Sequence, residues 1–152
     1  MLVEQSIPPL PEGFTLQRIT NEDYDKGALR VLEQLTVVGE VSKESFETYV
    51  SEQSDKHITI TIKDPNGEIV GISTLLIETK LIHGFSKVGH VEDVAVDKSM
   101  RGSKIGLSML KYLTNLAIEN GCYKVILDCD EKNVGFYEKC GFSRAGVEMQ
   151  YR

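Results

Sequence analysis

The sequence predicts a single α+β domain: a central, twisted, mostly antiparallel sheet with one parallel β-α-β crossover, flanked by helices. Three observations carry this prediction. Residues 57–62, 69–77 and 88–96 are apolar or alternating runs joined by short links, the pattern of an antiparallel meander. Leu107, Leu110, Leu113, Leu116 and Ala117 then recur at helical spacing. A further apolar run at 123–129 follows that helix, as a right-handed crossover requires.

The elements follow in order. Residues 1–13 hold Pro8, Pro9, Pro11 and Gly13 and read as a surface tail ahead of one domain spanning 14–152. Phe14–Ile19 reads as a first strand. Asn21 is positioned to cap a helix whose apolar face is Tyr24, Ala28, Val31, Leu32 and Leu35, with Gly39 as its stop. Ser42 caps a second helix bearing Phe46, Tyr49 and Val50. His57–Ile62 alternates strictly, so one face is buried, and Asp64-Pro-Asn-Gly67 is a hairpin turn. Residues 69–77 return, Lys80–Gly84 link, and residues 88–96 form the third strand of the meander. A long helix opens at Arg101 and stops at Asn120-Gly121. Tyr123–Cys129 reads as a strand buried on both faces, Asn133–Cys140 as a short helix capped by Asn133, and Val147–Tyr151 as a final edge strand.

The chain has 152 residues, long enough for a core that buries roughly 70% of the unfolded surface. Its net charge of −6 and the absence of a basic face argue against nucleic acid as a partner. No apolar run is long enough to span a bilayer, and no basic amphipathic helix suits a membrane surface. The N-terminus lacks a secretory pattern, and Cys122, Cys129 and Cys140 lack zinc-ligand spacing. A cytoplasmic protein with reduced, mostly buried thiols and no metal is expected.

Charge then localises. From Lys98 to Ile118 there are cations at Lys98, Arg101, Lys104 and Lys111 and no acid, in a chain acidic elsewhere. This stretch lies where a strand gives way to a helix, whose first N–H groups attract anions. Gly102 and Gly106 allow close backbone approach. The combination suits a pyrophosphate; from these features alone a solvated loop is an equal reading. Walker and dinucleotide patterns are both missing. Arg101 to Gly106 matches [QR]-x-x-G-x-[GA] except at Lys104, which stands where the middle glycine belongs. Backbone donation there survives if Lys104 keeps a negative φ.

At this point the sequence resembles the GNAT superfamily of N-acetyltransferases. The strand-loop-helix around residues 88–118 looks like its acetyl-CoA site, and Asn133-Val-Gly-Phe-Tyr-Glu-Lys-Cys-Gly-Phe142 like its distal N-x-x-x-[FL]-Y-x-K-x-G-F motif. Gly89–Val96, Gly121–Val134, Leu35–Gly39, Lys80–His83 and Ala145–Arg152 are further similar to the glucosamine 6-phosphate N-acetyltransferase family of eukaryotes. The resemblance runs from about Phe14 to Arg152. It implies direct acetyl transfer from acetyl-CoA, as cosubstrate, to the 2-amino group of glucosamine 6-phosphate in a ternary complex, for UDP-N-acetylglucosamine synthesis. It also implies a homodimer with exchanged C-terminal strands. Other amines as acceptors, or a non-catalytic CoA-binding module, are the competing functions.

Roles follow. An amine must be neutral to attack a thioester, and a carboxylate that accepts its N–H bonds orients it. The family match puts such a residue at Asp128, although an Asp ending a strand is also a common turn residue. Tyr137 would donate to the departing thiolate; on periodicity alone it is a packed aromatic. The resemblance assigns Glu92, Asp93, Val94, Ala95 and Val96, with Arg101, Gly102, Ser103, Lys104, Ile105, Gly106 and Asn133, to acetyl-CoA. Backbone N–H groups of 92–96 would receive the oxyanion if that strand splays from its neighbour. It assigns Thr36, Lys80, Leu81, Ile82, His83, Glu92, Asp93, Asp128 and the partner-reaching Arg152 to the sugar phosphate. On a regular strand only one of Glu92 and Asp93 faces the pocket unless a bulge intervenes. His90 is the weakest candidate.

Overall fold

The computed structural model describes residues 2–152. Its five strands are β1 (Thr15–Arg18), β2 (His57–Lys63), β3 (Ile69–Thr79), β4 (Lys87–Val96) and β5 (Cys122–Ile126). They lie side by side in chain order. The first three pairings are antiparallel and β4–β5 is parallel. The helices are α1 (Ala28–Glu33), α2 (Lys43–Ser51), the single turn α3 (Ile82–Phe85), α4 (Ile105–Glu119) and α5 (Val134–Lys139). The predicted meander and crossover are therefore both present.

Alternation divides the core. Ile58, Ile60 and Ile62 of β2 join Leu75, Ile77 and Val91 beneath the α4 stripe of Met109, Leu110, Leu113 and Ala117. On the other face, Ala28 and Val31 of α1 and Phe46 of α2 pack on Ile69, Ile72 and Ala95. Gly89 sets the spacing between β4 and α4. A Cβ there would come 3.0 Å from Ala117 Cβ, so a larger residue would push the helix away from the sheet.

Several boundaries differ from expectation. The first predicted helix is two pieces, a 3-10 turn at Asn21–Lys26 and α1, separated by Gly27 at φ +96°. Asn21 is not its cap: Thr20 holds that position, and its N–H donates to Asp23 Oδ2 at 2.8 Å. The helix ends at Glu33, well before Gly39, because Thr36-Val37-Val38 is a β-branched run. Ser42 caps α2 as predicted, its hydroxyl accepting from the Ser45 N–H. The long helix begins at Ile105 rather than Arg101. Strand β5 ends at Ile126 and alternates between covered and open positions; it is an edge strand, not one buried on both faces. Val147–Tyr151 forms no ladder with the strands of this chain, and Val147, Met149 and Tyr151 are at least 89% exposed.

The N-terminal segment lies against α4. The Gln5 N–H donates to Asn115 Oδ1 and Asn115 Nδ2 donates to the Gln5 carbonyl, both at 2.8 Å. The Ser108 hydroxyl donates to the Pro8 carbonyl at 2.8 Å.

Candidate active site

The site begins where two strands part. Strand β4 pairs with β5 only from Lys87↔Cys122 to His90↔Ile126. The β5-facing backbone groups of residues 91–96 have no ladder partner there, the splay that an oxyanion and an extended ligand arm need. On its other side β4 is bulged. Ile72 pairs with Ala95 and Thr74 with Glu92, so Ser73 alone spans Asp93 and Val94. Asp93 sits at φ +51°, and the Ser73 hydroxyl donates to the Glu92 carbonyl at 3.1 Å. The bulge leaves both Glu92 and Asp93 exposed, so the restriction expected of a regular strand does not apply.

A cleft of about 140 Å³ lies against the unpaired end of β4, lined by Gln34, Leu35, Val94, Ala95, Val96, Lys98 and Arg101. Asp97 fixes its far end. Its Oδ1 accepts from the Ser99 N–H (2.9 Å) and the Ser99 hydroxyl (2.6 Å), while Oδ2 accepts from Arg30 (2.8 Å) and Gln34 (3.0 Å). Those donors, the Ser99 hydroxyl foremost, hold the Asp97 carboxyl well below the usual carboxylate range. A 3-10 turn at Lys98–Met100 then leads to Gly102 (φ +81°), Ser103 and Lys104 (φ +65°).

The condition of a negative φ at Lys104 is thus not met. This position is left-handed, which explains why glycine is the usual residue in the loop pattern. Gly102 and Lys104 turn the chain so that α4 starts on Ile105. The Lys104 carbonyl takes the first helical bond, from Ser108, leaving the amides of Ile105, Gly106 and Leu107 outside the helical ladder. With the Arg101 and Lys104 side chains exposed beside them, the loop is a donor-rich cationic cradle suited to a pyrophosphate.

Asp128 and Asn133 lie past the end of β5, and Tyr137 lies on α5. Asp128 is exposed. Asn133 occupies the cap position of α5, but its side chain makes no capping bond, contrary to expectation, and stays free at the surface. Tyr137 is half-buried, edge-on to Phe136 (5.0 Å between centroids) and Phe142 (6.2 Å). Burial, with Cys129 and Cys140 beside it, pushes its phenol up to about 12, so the donor form persists through neutral pH. The three cysteines are free; Cys122 and Cys140 are buried and Cys129 is exposed.

The surroundings of Glu92 are acidic. Partial burial, then the neighbouring Asp93 and Asp128 carboxylates, raise the Glu92 carboxyl, and Glu148 of the C-terminal segment adds to them. Glu92, Asp93 and Asp128 therefore share one electrostatic neighbourhood, a favourable setting for an amine. Lys80 Nζ lies 3.0 Å from Glu78 Oε2, and His90 Nε2 lies 2.9 Å from Glu78 Oε1. Leu81, Ile82 and His83 are exposed, the chain turns left-handed at His83, Gly84 and Phe85, and His83 stacks on Tyr123 at 4.1 Å. Thr36 is exposed just beyond α1. Arg152 is not drawn into the site within this chain; it bonds Gln150 at the exposed terminus.

Sequence reasoning passed over Gln34, Ser73, Glu78 and Asp97. The only local signals were the Asp97-x-Ser99 turn and the placement of Arg30 and Gln34 one helical turn apart.

The sequence profile of the acetyltransferase (GNAT) family matches residues 18–142. The glucosamine 6-phosphate N-acetyltransferase of Candida albicans is 46% identical over 146 residues, covering 94% of this chain and 98% of that protein. The Arabidopsis thaliana enzyme of the same name is 37% identical over 144 residues, covering 92% and 97%. The crystal structure of glucosamine-6-phosphate N-acetyltransferase from Arabidopsis thaliana superposes with a TM-score of 0.89 at 36% identity, covering 93% of this chain and 99% of that one. A Trypanosoma brucei acetyltransferase superposes at 0.84 with 33% identity, covering 91% and 99%. With the parted strands and the anion cradle in place, these similarities show that the chain belongs to the GNAT family of acetyltransferases.

Proposed function

We propose that this chain transfers the acetyl group of acetyl-CoA to the 2-amino group of D-glucosamine 6-phosphate by direct attack in a ternary complex. The products are N-acetyl-D-glucosamine 6-phosphate and CoA, in UDP-N-acetylglucosamine synthesis. The observation that carries the reading is the polarity of the opening between β4 and β5. It has the Arg101 and Lys104 cations and the unpaired amides at the start of α4 at one end, and the carboxylates of Glu92, Asp93 and Asp128 at the other. A phosphorylated cosubstrate and an amine suit those two ends respectively.

In this reading the cradle and Asn133 hold the CoA phosphates, and the free amides of β4 receive the thioester oxygen. Asp128 accepts the amine N–H bonds and orients the lone pair. Tyr137 donates its proton to the leaving thiolate. Lys80 through His83 and Thr36 face the sugar phosphate, and the partner copy's C-terminal strand delivers Arg152 in a cytoplasmic homodimer. The relatives of that name, which match more than nine-tenths of the chain, support the same acceptor.

The test is CoA-thiol release from acetyl-CoA with glucosamine 6-phosphate and with unphosphorylated glucosamine. Release with the phosphorylated sugar alone is expected. Preference for a polyamine or a peptide amine would reassign the acceptor, and CoA binding without transfer to any amine would leave only a binding module.

A further inference from the structure

We infer that Gln34 is a positioning residue whose carboxamide clasps the acceptor-side loop onto the cofactor-side loop, so that the two substrates bind with positive coupling. The inference rests on the ternary-complex reading above.

One amide group bridges the two segments. Gln34 Nε2 donates to Asp97 Oδ2 at 3.0 Å, and Gln34 Oε1 accepts from the Lys98 N–H at 2.9 Å. The segments are 63 and 64 residues apart in sequence, so nothing local brings them together. Lys98 opens the 3-10 turn that leads into the cradle. Gln34 itself is the residue that caps the C-terminal end of α1. The Leu35 and Thr36 amides both donate to the Leu32 carbonyl, at 2.9 and 3.1 Å, so residues 34–36 move as one piece with α1.

That piece has two working parts. Leu35 walls the cleft alongside Val94–Val96, and Thr36 is the proposed sugar contact. A ligand that orders the 98–104 loop therefore orders the Lys98 amide and with it the Gln34 side chain. A ligand that settles against Thr36 does the same from the other side. Each favours the same clasped arrangement, and such coupling is reciprocal. Arg30, one turn earlier, also reaches Asp97 but not the Lys98 amide, so it anchors α1 without gripping the cofactor loop.

The test uses CoA, which binds without reacting, and glucosamine 6-phosphate. Calorimetry would give each dissociation constant alone and in the presence of the other, for the wild-type chain and Gln34→Ala. In the wild type CoA is expected to tighten sugar binding about fivefold or more. In Gln34→Ala that ratio should fall to about one, with CoA alone bound within about threefold of wild type. Thermal midpoints within about 3 °C would separate lost coupling from lost folding. An unchanged ratio in Gln34→Ala overturns the inference.

If the wild type binds CoA but no sugar phosphate, the acceptor assignment fails, and hydrogen exchange then decides the clasp. CoA should protect both 98–104 and 34–38 in the wild type, but only 98–104 in Gln34→Ala. Equal protection of 34–38 in both proteins would overturn it.

Discussion

His90 and Ile126 are the last pair between β4 and β5, and the chain beyond Ile126 reaches Asp128 within two residues. The end of pairing and the proposed amine-orienting carboxylate are thus one local event. Continued in the same register the pairing would set Asp128 opposite Glu92, so the strands part at the level of these two carboxylates.

Asp128→Ala should therefore lower kcat by about 10²-fold, the size of a lost positioning or proton-accepting group. Its CoA affinity should stay within about twofold, because the cradle lies at the other end of the cleft. Steady-state kinetics with CoA titration checks both. Wild-type turnover would remove Asp128 from the mechanism.

Tyr137→Phe should cost about 10²-fold in kcat with little change in KM for acetyl-CoA, since only the leaving thiolate uses the hydroxyl. The sign of its pH effect is defined. The phenol acts in its protonated form, and burial pushes its pKa up to about 12. The kcat profile should consequently show no loss near pH 10, where an ordinary tyrosine ionises. A limb at pH 10 that vanishes in the phenylalanine variant would contradict this environment.

Lys104→Gly relieves a left-handed lysine and should stabilise the fold by about 1 kcal/mol. The same change removes a cation from the cradle and should raise KM for acetyl-CoA several-fold, more at low salt than at high. Calorimetry and kinetics at two ionic strengths would read the trade. Unchanged KM at both would place the ammonium outside the phosphate field.

Asp97→Asn should destabilise the protein by about 1–3 kcal/mol at pH 7, by weakening charged hydrogen bonds to Ser99, Gln34 and Arg30. The folded carboxyl titrates below its unfolded value, so this stability is present above about pH 4 and is lost as pH falls through the folded pKa. Urea unfolding of the two proteins should differ at pH 7 and converge in strong acid. A difference independent of pH would mean the charge is not what stabilises.

Much of this was legible because it is written locally. Strict alternation at 57–62 placed β2, Asn66-Gly67 placed its turn, and the leucine spacing placed α4 between parallel strands. The cradle was readable because glycine, cation and helix start coincide in a few residues. The bulge at Asp93 was not, because Ser73, which spans it, lies on another strand. The left-handed Lys104 contradicts its own residue preference, so no propensity argument finds it. Strand β5 looked doubly buried because its apolar residues were counted without knowing that it forms an edge. Gln34, Glu78 and Asp97 act through partners distant in sequence or on neighbouring strands, beyond the range of any periodicity.

The segment laid across α4 also has a consequence in time. Gln5 bonds to Asn115, a residue 110 positions later. At a synthesis rate of roughly 5–20 residues per second, that partner is made roughly 5–20 s after Gln5 itself. Through this interval the antiparallel meander can already form, whereas the segment around Gln5 has nowhere to dock. A segment made well before its partner is therefore among the last to settle, and its seating marks the moment when α4 has taken its place on the sheet.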